Sequence, residues 1–466
     1  MIPKRIRLAL LAATALAPAV LSPGGALAQT LQEALSQAYA NNPTLQTARA
    51  QLRVVDENVP QALAGWRPSV TVAGNAGYVQ GTTRARGIYS DADRATAGAQ
   101  ATLTQPIYSG GRTVAATQRA ENQVLAQRAR LLAAEQQVLS DTVAAYVAVI
   151  RDQETLRLNV NNVQVLQRQL DATNERFRVG EITRTDVAQA ESRLAGARAS
   201  RANAEGNLQT SRATFQRVVG LAPERLSAPQ PLRAAVANGR EAADLAMRNN
   251  PQVVAALFDE AAARDAVDVQ MSALLPQVSL QAQAFRSDNS QQPHVRSTGE
   301  QITANLSVPI YQGGSEHSAV RQARQDAQRY RQIVDDQRRQ SMQQATQAWE
   351  TLQSARAQVE SVRSQIRAAE IALDGVQREA VVGSRTTLDV LNAEQELLNA
   401  RVSLVQALSN VVTASYNLAG AVGRLTARDL ALPVAQYDME AYYRTVRNRW
   451  FGTGDLYRDE RAEAAR

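Results

Sequence analysis

No cysteine occurs in the 466 residues, so no disulfide can staple the fold. A chain of this length must then hold itself by packing or by assembly, and it offers no thiol for lipid attachment at a new N-terminus. Histidine occurs only at His294 and His317, far apart and in unrelated contexts. No H-E-x-x-H, cysteine pair or carboxylate cluster accompanies them. Neither a metal, a cofactor nor a nucleophile–base constellation is therefore expected, and the chain does not read as an enzyme. Beyond residue 28 no apolar run is long enough for a membrane-spanning helix, so any passage through a membrane has to be a β-barrel. Blocks of like charge are also missing. The formal charge is +7, three of it from Lys4, Arg5 and Arg7, and the remaining charges are interspersed, so nucleic acid is not an expected partner.

The first 28 residues read as an export signal. Lys4, Arg5 and Arg7 form a basic stretch, Leu8 to Leu21 is apolar, and Ala26-Leu27-Ala28 is a cleavage-type triplet, which puts the mature start at Gln29. The apolar run is short and ends in Pro23-Gly24-Gly25, unlike a membrane anchor.

The rest of the chain is written twice. Asn41-Asn42-Pro43 recurs as Asn249-Asn250-Pro251, an offset of 208, and Arg67-Pro68 is answered by Leu275-Pro276. Pro106-Ile107-Tyr108-Ser109-Gly110-Gly111 recurs as Pro309-Ile310-Tyr311-Gln312-Gly313-Gly314, Val179-Gly180 as Val382-Gly383, and Asp186-Val187 as Asp389-Val390, at an offset of 203. The offset changes between the two strands of each copy, where a loop tolerates a length change. Proline is missing from 107–222 and from 310–432, and these spans are rich in helix formers. Leu125, Leu132, Leu139, Val143, Tyr146 and Ile150 recur at helical spacing.

The reading is two tandem helix–strand–strand–long-helix repeats in an α+β membrane protein. The first, 29–232, has helices over 30–65, strands over 68–80 and 95–107, and long helices over 112–176 and 184–219. The second, 233–425, has helices over 239–273, strands over 276–287 and 299–310, and long helices over 315–380 and 386–422. A tail, 426–466, follows. A helix from 112 to 176 is on the order of 100 Å long, which suits a coiled-coil-like bundle rather than a compact domain.

The strands alternate. Val278, Leu280, Ala282 and Ala284 interleave with Gln277, Ser279, Gln281 and Gln283, and Ile302, Ala304, Leu306 and Val308 with Gln301, Thr303, Asn305 and Ser307. Val70, Val72, Ala76, Tyr78, Ala97, Ala99, Ala101 and Leu103 supply the apolar face of the first pair. The polar face is neutral rather than charged, which fits a water-filled lumen better than the wet face of a soluble sandwich. Segments of about ten residues cross an outer membrane. The intervening stretches 81–95 and 286–300 read as polar external loops. Four strands cannot close a barrel, so the pore is shared between chains. Three chains give twelve strands, and the sequence alone leaves two or four chains open.

The signal segment, the doubled repeat, the strand pairs ending in Pro-Ile-Tyr-x-Gly-Gly and the helices turning at Val-Gly together resemble the TolC family of outer-membrane efflux and secretion channels, over about residues 30 to 450. The resemblance implies a homotrimer, with a 12-stranded β-barrel in the outer membrane continuous with a 12-helix tunnel in the periplasm. It also implies a periplasmic adaptor and an inner-membrane ABC or proton-driven transporter as partners. The tail, Leu432-Pro433-Val434 through Trp450-Phe451-Gly452, is similar to members serving type I protein secretion. It is expected at the tunnel's equator, ending in a disordered segment. A periplasmic adaptor is the competing assignment, but it needs one helical hairpin and a lipoyl-like β segment. Cargo is not legible: small molecules and unfolded polypeptides suit such a pore equally.

By the same resemblance, Val382 to Asn392 is the gate segment. Asp389 would line a three-fold aperture, and Arg385 would pair with Asp186 of the neighbouring hairpin. Asn392 stands where the family's best-known pattern has a second acidic ring, and Ala380 where it has a tyrosine latch. Weaker block by divalent cations is therefore expected. Thr183-x-x-Asp186 and Thr386-x-x-Asp389 are also capping boxes, which explains both aspartates without a gate. Val179, Gly180, Val382 and Gly383 sit at hairpin tips, where glycine suits a left-handed turn and the resemblance places adaptor docking. Gly110, Gly111, Gly313 and Gly314 read as strand-to-helix bends at the barrel's lower rim, since no Gly-Lys-Ser/Thr follows to hold a phosphate. Tyr108 and Tyr311 beside them fit an interfacial aromatic anchor.

Overall fold

The computed structural model describes residues 29–233, 236–290 and 294–454. The export signal and the expected disordered end beyond 454 lie outside the described residues.

Short helices open each repeat: α1 (Leu31–Asn41), α2 (Pro43–Asp56) and α3 (Asn58–Leu63) in the first, α6 (Gly239–Asn249) and α7 (Pro251–Met271) in the second. The repeated Asn-Asn-Pro has a local cause. Asn42 accepts a hydrogen bond from the Thr44 N–H at 2.9 Å, and Asn250 does the same for Gln252 at 2.9 Å, while the proline fills the first helical position, where no N–H is needed. Each asparagine also works at long range. Its amide donates to Val218 O (2.9 Å) in the first repeat and to Ala421 O (3.3 Å) in the second, tying each entry helix to the end of its own return helix.

Four long helices follow: α4 (Arg112–Arg178), α5 (Arg184–Val219), α8 (Ser315–Val381) and α9 (Thr387–Ala421). The expected boundaries differ from these by two residues at most. At 67 residues, α4 and α8 are each about 100 Å long. Towards the tips, α4 packs on α5 and α8 on α9, with α5 and α4 also touching α9. Towards the sheet, α7 lies between α4 and α8 while α2 and α3 lie on α4. Four helices therefore stand side by side at most levels. Between these ends sits the main core, where Leu35, Leu45, Leu52, Leu139, Tyr146 and Phe215 are enclosed with Leu425 and Leu432 of the tail. The Tyr146 hydroxyl reaches the carbonyls of Gln29 (2.8 Å) and Ser227 (2.7 Å), pinning the chain start and the inter-repeat segment to one point.

The strands β1 (Ser69–Ala85), β2 (Ile88–Ser109), β3 (Gln277–Asp288) and β4 (Arg296–Ser307) form one antiparallel sheet in that order. Its register keeps the faces separate. Val70, Leu103, Ala282 and Ile302 form one row across all four strands, and Thr71, Thr102, Gln283 and Gln301 the next row on the opposite face. Glutamines on the polar face bond one another across strands: Gln301 to Gln283 (2.6 Å) and Gln283 to Gln100 (2.9 Å). Pro106, within an inner strand, sits at a register shift, where its missing N–H interrupts no ladder.

The first hairpin corrects the expectation of a loop over 81–95. Both strands run on through that stretch, joined by a two-residue turn in which Arg86 (φ 50) and Gly87 (φ 81) are both left-handed. The 17 residues of β1 give about 55 Å of strand, against about 40 Å for the 12 of β3, so this hairpin outreaches the second. Its extension is held by polar cross-strand bonds, Thr82 to Asp91 (2.8 Å) and Tyr78 to Asp93.

Candidate functional site

The two helical hairpin tips share one backbone design. After α4, Gly180 takes φ 80 and the Glu181 N–H returns to Arg176 O at 3.0 Å. After α8, Gly383 takes φ 81 and the Ser384 N–H returns to Glu379 O at 3.0 Å. This six-residue closure satisfies carbonyls at the helix end and needs a left-handed residue, which explains the repeated glycine. Val179 and Val382 precede these glycines and are both exposed. The return helices start in reciprocal capping boxes. Asp186 accepts from the Thr183 N–H (3.1 Å) and hydroxyl (2.7 Å), and Asp389 from the Thr386 N–H (3.0 Å) and hydroxyl (2.8 Å). Those bonds, with the nearby Arg385 guanidinium, hold the Asp389 carboxyl below its usual range, so it is a carboxylate at neutral pH.

Arg385 and Asp186 are not joined within the chain. Arg385 instead meets Glu379 at 2.9 Å, six residues back on the last turn of α8, and this bond pushes the Arg385 pKa upward. The Asp186 carboxylate is taken up by its own cap. Local reach decides this, because Glu379 and Arg385 flank the same tight turn. Asn392 is drawn into a contact that sequence reasoning missed: its side-chain oxygen accepts from Arg193 of α5 at 2.7 Å. Next to it Leu391 packs on Leu166, Leu194 and Ala197, so one apolar cluster joins the return helices of the two repeats. One turn on, burial pushes the Glu394 carboxyl upward, although Gln377 donates to it at 3.1 Å. The signal that could have found Glu379 is its repeat partner: 203 residues earlier stands Arg176, which meets Glu181 of its own turn at 3.0 Å, although Glu181 aligns with Ser384 rather than with Arg385. Arg193–Asn392 joins different repeats and left no such trace.

At the other end, Gly110 (φ 62), Gly111 (φ 81), Gly313 (φ 68) and Gly314 (φ 83) turn the chain from sheet to helix, with Gly111 and Gly314 directly preceding α4 and α8. A side chain at Gly110 would also meet Ser272 O at 2.6 Å. Among the described residues no helix is long and apolar enough to cross a membrane, and no group of three or more His, Cys, Asp or Glu could hold a metal ion.

The tail differs from a simple equatorial segment. It climbs the outside of α4. The Ala427 N–H donates to Glu135 (2.7 Å), Arg128 pairs with Glu440 (3.0 Å), Arg447, which follows the short helix α10 (Ala441–Val446), pairs with Glu121 (3.0 Å), and Arg67 donates to Arg449 O (2.7 Å). Beneath it lies Asp56, fully buried, with no hydrogen-bond partner for either carboxylate oxygen. Burial pushes its pKa up to about 6, against the pull of Arg128.

The family of outer membrane efflux proteins matches residues 34–221 and 242–424, the two repeats seen above. The chain is 38% identical to the outer membrane efflux protein BepC of Brucella suis, covering 95% of each chain, and 25% identical to the outer membrane protein TolC of Escherichia coli, covering 86% of this chain and 84% of that one. Among solved structures, the Campylobacter jejuni CmeC outer membrane channel shares the fold with a TM-score of 0.77 at 15% identity, over 90% of this chain and 89% of that one. An adaptor, the competing assignment, is thereby set aside. This chain belongs to the outer membrane efflux protein family, and it is an exit duct of the outer membrane whose helices form the periplasmic tunnel.

Proposed function

We propose that the chain works as a homotrimer, with cargo passed to it by a periplasmic adaptor and an inner-membrane ABC or proton-driven transporter. The carrying observation is the sheet: four strands, with β1 and β4 each leaving an edge unpaired and an apolar row running across one face. In lipid such edges are costly, and pairing β4 of one copy with β1 of the next removes them. Three copies give twelve strands above and, with four helices side by side in each, twelve helices below.

The tips then do two jobs. The exposed Val179-Gly180 and Val382-Gly383 turns face the adaptor. Asp389, repeated three-fold, lines the aperture, and Arg385 holds the second tip shut through Glu379 and, in the assembly, Asp186. Asn392 contributes no second acidic ring, and its bond from Arg193 ties the moving tip to the first repeat. Native mass spectrometry of the detergent-extracted protein tests the assembly: three chains are expected, and a stable monomer would sink the reading. The cargo is read from a strain lacking the chain. Loss of abundant proteins from the culture medium assigns protein secretion, and an unchanged medium with new drug sensitivity assigns small-molecule efflux.

A further inference from the structure

We infer that residues 450–451 of the tail are a membrane anchor, in which Trp450 and Phe451 enter the periplasmic leaflet of the outer membrane beside the foot of the barrel. The contacts of the tail with α4 rise from Glu135 through Arg128 to Glu121, and the chain then passes to Arg67, just before β1. From Glu135 to Arg112, where α4 begins, is about 35 Å of helix, so the tail spans from the main core to the sheet. There the Arg67 guanidinium lies 5.2 Å from the centre of the Trp450 ring. The level is marked independently: Gln105 of β2 donates to Trp66 O at 2.9 Å, so residues 66 and 67 stand at the lower rim of the sheet.

Among the described residues, two large rings are exposed at this level. Trp450 is 64% and Phe451 89% exposed, next to each other, at the end of a segment otherwise bonded to the body. Arg449 folds the end back on itself, its Nε donating to Phe451 O at 3.3 Å, so the rings are held in place. Exposed Trp66, Tyr108 and Tyr311 stand at the same rim. Together they form the pattern of amphipathic rings that sit at headgroup depth, with Arg67 and the exposed Arg112 at hand for lipid phosphate. The occupant is a phospholipid because the rings stand, through Arg67, at the rim from which the apolar face of the sheet starts at Val70. The inference rests on the outer-membrane placement of that sheet and not on the trimer or the gate.

The test uses the full chain with Trp66→Phe and Trp349→Phe, leaving Trp450 as the only tryptophan, in vesicles of phosphatidylethanolamine and phosphatidylglycerol with brominated or plain acyl chains. Trp450 emission is expected to move to shorter wavelength than in detergent and to lose most of its intensity with brominated lipid. Quenching by aqueous iodide but not by bromine would overturn the proposal, as would quenching by neither, which would mean that another copy or the last residues cover the ring. Should that variant fail to fold, the native chain minus its Trp450→Phe variant reads the same emission. A second measurement is the melting of Trp450→Ala/Phe451→Ala. A loss of stability in vesicles but not in detergent supports the anchor, and an equal loss in both reduces the rings to packing and overturns it.

Discussion

The two hairpin tips have one backbone and opposite charges. In the first, a basic residue on the last turn of α4, Arg176, holds an acidic one on the turn, Glu181. In the second, the acidic residue Glu379 is on the helix and the basic residue Arg385 on the turn. The carbonyl end of a helix favours a cation and opposes a carboxylate. Arg176 therefore suits its position with or without its partner. Glu379 is tolerated because Arg385 is there, and losing that contact leaves a carboxylate against the α8 carbonyls. The same turn is thus made secure in one repeat and conditional on an ion pair in the other. The repeats diverge again under the tail. Asp56 is buried beneath it, whereas the equivalent position in the second repeat, Arg264, is exposed and pairs along its own helix with Glu260.

Charge reversal at the tips should have the largest effect. Arg385→Glu should raise the ion conductance of the protein in planar bilayers markedly, and Glu181→Arg should barely change it; equal responses would end the argument that the tips differ. Next in size is Asp56. Its folded pKa of about 6 lies above the ordinary carboxylate value, so its contribution to stability is full at low pH and is lost as pH rises through about 6. Asp56→Asn should stabilise by about 1–3 kcal/mol in melts near neutral pH and by almost nothing near pH 4. Arg264→Gln, its repeat counterpart, should show no such pH dependence.

The asparagine ties rank third. Asn42→Ala and Asn250→Ala each remove a cap and a long-range bond, costing about 1–2 kcal/mol in denaturant melts, with Asn42 the larger because its tie is shorter. The smallest effect is at Asn392. Asn392→Asp alone should tighten divalent-cation block of the current only slightly, since Arg193 would neutralise the new charge. Adding Arg193→Gln should tighten it further.

The long helices were legible because 107–222 and 310–432 combine missing proline with helical spacing, and the membrane part of the sheet because one face must be apolar. The upper part of the first hairpin was not. Above the lipid both faces are wet, so Thr82, Asp91 and Asp93 obey no alternation, and only the Arg86-Gly87 turn hinted at continuous strand. At the helical hairpin tips the caps and the glycines were legible, because a cap is written within four residues. The Arg385 partner was placed by resemblance, which overlooked Glu379. The path of the tail was invisible, since each of its contacts joins residues hundreds apart.

The tail follows the second repeat yet docks on the first, through contacts spanning 292, 312, 326 and 382 residues. Closing such loops comes late, because the chain entropy is lost before the contact repays it. During export the N-terminal repeat emerges first and waits with Asp56 and the flank of α4 uncovered until the last stretch of chain arrives. A chain cut before residue 427 can therefore form its helices but leaves the flank of α4 uncovered.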